Sequence, residues 1–260
     1  MNVFKRELQA HLKATVIWAI ALFLLLETSM AKFDAIAKGG KAMQQVLTSF
    51  PHSIQVMFGM DGLDITTARG YYGIVFLYVV IAVALHATML GVELIKKEEY
   101  DKTSEFLYPK PVGRGRVLFD KLLAGIVILA TINLITWLAS YVSVRQFAVA
   151  GNFGHSLMIM MGALAIIQLV YFFFGFLLAT ISRVASRIAT LSVVASYFLM
   201  VIAGFLSNNW LRDVTPIGYF NAKDLLTDAT HILYPIACVI ISGLFVVIAC
   251  SLYRSRDLRV

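Results

Sequence analysis

Glu27, His86, Glu93, Asn133 and Gln168 are the polar side chains that interrupt the long apolar runs of this 260-residue chain. Inside a membrane, such groups mark either hydrogen bonds between helices or contacts with something that passes through. Glu27 and Glu93 fall near the ends of their runs, where a carboxylate reaches towards water. Asn133 and Gln168 are central, and His86 lies deepest in the second run. These three are the candidates for a translocation path. Hydrolytic and metal chemistry has no comparable footing. The five histidines (His11, His52, His86, His155, His231) are scattered singly, with no partner at ligand spacing. Gly154-His155-Ser156 runs on into Leu157 and Met158, which is not a nucleophile elbow. A phosphate cradle ending at Gly40-Lys41 would need Gly at position 35 and Ser or Thr at 42, and both positions are Ala. Glu98-Glu99 lacks the Arg that a membrane glutamate protease sets four residues on, because position 103 is Thr. The chain therefore reads as a non-enzyme that binds neither ATP nor metal by itself.

The elements that position these residues follow from composition. The chain is 60% apolar and 14% charged, with a mean hydropathy of +0.81. Soluble domains run at about 45–50% apolar and about 25% charged. The excess gathers into six runs long enough to cross a bilayer as helices. They lie near Ala14–Met30, Tyr71–Ile95, Phe119–Val144, Leu157–Ile181, Ile188–Ser207 and Leu233–Tyr253. The fold class is all-α: a polytopic membrane protein with a single domain over 1–260. Cys238 and Cys250 lie twelve residues apart in the last run, about 18 Å along a helix, too far for a disulfide.

Lys and Arg give the orientation. With the N-terminus inside, 15 of the 22 basic residues fall on the cytoplasmic side and 7 on the other. That split puts both termini in the cytoplasm of a multi-pass cell-membrane protein. It also assigns the net charge of +7 to loops, not to nucleic acid. Phe4, Leu8 and Leu12 recur among Lys5, Arg6, Glu7, Gln9 and Lys13, the pattern of an amphipathic interfacial helix over 1–13. Ser29 and Ala31 resemble a signal-peptide cleavage site, but Glu27 just before them argues for a retained span.

Two loops carry the remaining information. The cytoplasmic loop 96–118 opens with charged helical sequence through Glu98 and Glu99. It then presents Phe106-Leu107-Tyr108 and breaks at Pro109 and Pro111. A short helix ending in apolar residues and held between two spans suits docking into a groove on a soluble partner. Glu99, Thr103, Glu105, Phe106, Leu107, Pro111, Val112, Arg114 and Lys121 match the loop signature of the six-helix, type-two permeases of ATP-binding-cassette exporters. Lys102, Pro109 and Gly113 depart from that signature. Pro216-Ile217-Gly218-Tyr219-Phe220-Asn221 resembles the same family's P-x-x-Y-F-[ND] element, within an extracellular re-entrant segment over 208–232.

The resemblance implies a transmembrane subunit that forms the path, while a separate ATPase subunit binds and hydrolyses ATP-Mg. Glu98, Glu99, Thr103, Glu105, Phe106, Leu107, Pro111 and Arg114 would form the cytoplasmic coupling helix and its exit. It also implies a second permease chain, identical or related, with relatives meeting through their first and fifth spans. On the fifth span Ala185, Ala189, Ser192, Ser196 and Ala203 share one face of small residues that let helices approach closely. They are the expected dimer interface. A sensor or immunity protein that does not transport is the alternative, and co-purification with an ATPase subunit separates the two. The transported substrate is not written in these motifs.

Overall fold

Backbone groups in hydrocarbon have no water to bond, so each apolar run must satisfy its hydrogen bonds along its own helix. The computed structural model describes residues 3–100, 114–147, 153–206, 211, 214–227 and 232–255. They form α1 (Val3–Met30), α2 (Phe33–Thr48), α3 (His52–Met57), α4 (Ala68–Tyr100) and α5 (Arg114–Arg145). There follow α6 (Phe153–Ile181), α7 (Ala185–Phe205), α8 (Pro216–Tyr219), α9 (Ala222–Leu226) and α10 (Leu233–Ser255). The described residues contain no strand. Six helices, α1, α4, α5, α6, α7 and α10, are long and apolar enough to span a membrane, as the sequence requires. The protein is an all-α polytopic membrane protein.

α4 and α6 form the centre. Both are apolar on nearly every side, and a helix of that kind belongs inside. Tyr72, Phe76, Val79, Val83, Ala84, Ala87 and Leu94 of α4 are buried, as are Leu164, Ile167, Phe172, Phe176 and Ala179 of α6. α1, α7 and α10 are peripheral, with α1 against α5, α10 against α6, and α7 against α4 and α6. The bundle has two ends. The base holds Glu93 and Lys121, where α4 and α5 flank residues 101–113. The crown holds Tyr72, Ser140 and Ser156. The Val3 end of α1 and the Ser255 end of α10 both lie at the base.

α4 and α6 meet at glycines. A Cβ on Gly91 would collide with the carbonyl oxygen of Phe172, and one on Gly175 with that of Thr88. Without those methyl groups the two backbones approach to van der Waals contact, the packing that drives association where lipid is as apolar as leucine.

The crown is closed by polar ties. Tyr72 Oη donates to Ser140 Oγ at 2.8 Å, joining α4 to α5. Arg69 donates to Ser156 Oγ at 2.8 Å and to the Leu226 carbonyl, joining α4, α6 and α9. Glu27 does more than reach for water. Its Oε1 accepts from Ser143 Oγ at 2.6 Å, pinning α1 to α5. The motif at 216–221 becomes two short helices, each with its own cap. The Thr215 side chain accepts from Gly218 N, and Asn221 Oδ1 accepts from Lys223 N.

The interfacial helix expected over 1–13 is not separate. α1 runs as one helix from Val3 to Met30, since neither Gly nor Pro interrupts residues 10–18. Its inward stripe is Glu7, His11 and Thr15, while Leu12 is 60% exposed. Of the polar residues expected on the wet side of a surface helix, Glu7 turns inward, while Lys5, Gln9 and Lys13 stay exposed.

Gly91→Val and Gly175→Val should each destabilise the bundle by at least about 1–3 kcal/mol, the usual cost of overpacking. Gly162→Ala should not destabilise it, because a Cβ there meets no atom within 4 Å and Ala favours the helix. Thermal unfolding in detergent reads the difference.

Candidate functional site

Charge buried at the base has to be paired or hydrogen-bonded, since an isolated ion in such surroundings is costly. α1 contributes Glu7 and His11, α4 contributes Glu93 and Lys96, and α5 contributes Lys121. Glu7, His11, Lys96 and Lys121 are all buried. His11 Nδ1 lies 3.6 Å from Glu93 Oε2, and His11 Nε2 lies 3.9 Å from Glu7 Oε2. Arg6 Nη2 donates to Glu7 Oε1 at 3.1 Å. Lys121 Nζ donates to the Leu94 carbonyl, binding the start of α5 to the end of α4. Lys96 Nζ donates to the Arg183 carbonyl, binding α4 to the turn between α6 and α7. Residues 101–113 thus connect two helices fastened to each other and to the rest of the bundle.

Of the residues expected in coupling, Thr103, Glu105, Phe106, Leu107 and Pro111 lie outside the described residues. Glu98 and Glu99 belong to the last turn of α4, which continues the second span without a break, and Arg114 opens α5. Sequence reasoning missed Glu7, His11 and Lys96 as structural partners. The signal was present: Glu7, His11 and Thr15 recur every four residues, a polar stripe on one helix face.

The three residues expected along a path separate into two places. Asn133 and Gln168 meet where α5 packs on α6. Asn133 Nδ2 donates to Gln168 Oε1 at 3.1 Å and to the Met161 carbonyl at 3.2 Å, while Gln168 Nε2 donates to the Leu129 carbonyl at 3.4 Å. His86 is buried elsewhere, edge-on to the Trp18 ring of α1 with centroids 5.3 Å apart. Its Nδ1 has no hydrogen-bond partner among the described residues. A further cavity of about 270 Å³ lies near the crown between α3, α4, α7 and α8, with Phe76 and Phe220 in its wall. Its polar lining includes His52 and Asp61, whose Nε2 and Oδ1 are 3.6 Å apart.

The small stripe of the fifth span faces its own chain. Ala185, Ala189 and Ala203 of α7 are 0%, 0% and 2% exposed within one subunit, so they have no surface left for a second. Ser192 and Ser196 are half-buried beside Val193, which is itself buried, and their hydroxyls bond back to Ala189 O and Ser192 O. Small residues were expected to serve contact between subunits. Ala185, Ala189 and Ala203 serve contact inside the bundle instead, because close helix approach is needed there first. The outward side of α7 carries Ile188, Leu191, Ala195, Phe198, Ile202 and Phe205.

The central amide pair should behave as an interhelical bond. In a double-mutant cycle with Asn133→Leu and Gln168→Leu, the coupling energy should be about 0.6 kcal/mol, the average for such bonds in membranes, and no more than about 1.7 kcal/mol. Unfolding of the two single variants and the double variant in mixed micelles supplies the number.

Among curated proteins none matches the chain. The family described as ABC-2 family transporter protein matches residues 1–240, which takes in the first five spans and the start of α10. That match covers the base, the central amide pair and the capped motif at the crown. The chain belongs to the ABC-2 family of transporter proteins, as a multi-pass membrane permease component of an ABC transporter.

Proposed function

We propose that this permease is the path-forming subunit of an ATP-driven exporter and is coupled to a separate ATPase subunit through residues 98–114. ATP-Mg binds to that partner. Both termini and the 98–114 segment face the cytoplasm of the cell membrane, in keeping with the 15-to-7 distribution of basic residues. The observation that carries the reading is the fastening at the base. Lys121 on the Leu94 carbonyl and Lys96 on the Arg183 carbonyl fasten the helix ends that flank the segment to the rest of the bundle. A push on the segment from closing ATPase subunits is therefore delivered to α4, α5 and the α6–α7 turn together. Alternation of the spans then follows from different contacts in the two states.

Two permease chains complete the path. Their meeting surface uses the outward side of α7, whose exposed residues recur at alternating steps of three and four from Ile188 to Phe205. This replaces the small stripe, which the chain's own packing occupies.

Phe106 and Leu107 would fill an apolar groove on the ATPase, each worth about 1.5–3 kcal/mol when buried. Phe106→Asp should weaken association with the ATPase subunit by at least about tenfold and abolish transport, with membrane insertion intact. Co-purification and vesicle transport measure both. Unchanged association would make the segment an ordinary solvated loop. For the pairing surface, single cysteines at Leu191 and Phe198, in a chain lacking Cys238 and Cys250, should cross-link between subunits in native membranes. Ala189→Cys should not, and a stronger cross-link from Ala189 than from Phe198 would reverse the assignment.

A further inference from the structure

A groove of about 500 Å³ opens on the outside of the bundle between α5 and α6, its wall including Asn133, Leu134, Trp137, Met158, Ala165 and Gln168. Leu134 and Met158 at its rim are 53% and 66% exposed, so the groove opens towards lipid. Its depth is fixed by Gln168, which stands 168 − 153 = 15 residues from one end of α6 and 181 − 168 = 13 from the other. At mid-span there is no water to satisfy a polar group.

The hydrogen bonds set the polarity of this groove. The Leu129 and Met161 carbonyls can only accept. Gln168 must therefore turn its Nε2 to Leu129, which leaves its Oε1 facing Asn133, and Asn133 answers with Nδ2. That nitrogen carries two hydrogens, and both are used, on Gln168 Oε1 and the Met161 carbonyl. Asn133 Oδ1 is left with no partner among the described residues, in the wall of a groove open to hydrocarbon.

We infer that this groove is a binding site for a membrane-dissolved aromatic or apolar molecule carrying one hydroxyl or N–H donor. The body of the molecule lies against Trp137, Leu134 and Met158, and its donor bonds Asn133 Oδ1. A second copy of the chain, meeting this one across a two-fold axis at Asn133, is a poor occupant. It would set one Asn133 Oδ1 against the other, acceptor against acceptor, since both hydrogens of each Asn133 amide are already used. A phospholipid headgroup is excluded by depth, because it sits about 15 Å from the middle of a hydrocarbon core of about 30 Å. The volume lies in the range of sites for small molecules. Nothing in this site depends on whether its occupant is also transported.

The test uses the full-length chain in phosphatidylcholine bilayers with two photoreactive probes, para-hydroxybenzophenone and para-methoxybenzophenone, which differ by the donor alone. Mass spectrometry should find the hydroxyl probe on Met158 or Met161 at about fivefold the yield of the methoxy probe, the ratio expected for one net hydrogen bond. Asn133→Leu should remove the preference. Ala165→Phe, which fills the groove while keeping both amides in the chain, should remove labelling by both probes and stands as the deciding variant if Asn133→Leu does not insert. Equal labelling by the two probes, a preference that survives Asn133→Leu, labelling that Ala165→Phe leaves intact, or no adduct in the groove would each overturn the assignment.

Discussion

The backbones of α4 and α6 touch where Gly91 faces the Phe172 carbonyl and Gly175 faces the Thr88 carbonyl, and this is the most extensive helix pairing in the bundle. Lipid offers no hydrophobic drive for helices to associate, so the gain must come from dispersion between close-packed surfaces. Two glycines a full span apart in sequence make the approach close enough for Ala84, Ala87 and Ala179 to be buried with them. α7 and α10 then pack on this pair with one side each, and α1 packs chiefly on α5, which is why all three remain mostly open to lipid while α4 does not.

The polar residues take their places from the same packing. With α4 and α6 in contact, Arg69 spans α6 and α9 at the crown, and Lys96 reaches the α6–α7 turn at the base. α5 joins the pair through Tyr72–Ser140 at one end, Lys121 and the Leu94 carbonyl at the other, and Asn133–Gln168 in between. Three ties along one helix hold its rotation as well as its position. That explains how a connection at the base can act on the whole bundle, and why a mid-span amide can be presented outward with one oxygen unspent.

The site was legible unevenly. The segment proposed for coupling, the motif at 216–221 and the depth of Asn133 and Gln168 were all visible as residue type and spacing. The pairing of Asn133 with Gln168 was not, because they lie 35 residues apart and nothing local favours one partner over another. His86 shared their depth in sequence, yet it stands against Trp18, since rotation of α4 carries it towards α1. Glu7 belongs by sequence to the wet side of a surface helix, yet it turns inward together with His11. Their inward turn follows from Glu93 and the basic residues already waiting at the base.

Sequence alone determined the six spans, their helical state and the two connections rich in motifs, because each is a consequence of local composition in a solvent that forbids unsatisfied backbone. Only the tertiary structure decided which side of each helix faces protein. Small residues on α7 and charged residues on α1 can turn towards another subunit, towards water or towards their own bundle, and helical periodicity is the same in all three cases. The choice belongs to the partner surface: Gly91 and Gly175 bring α4 and α6 together, and Ala185 and Ala189 are buried within the bundle while Leu191 stays outside.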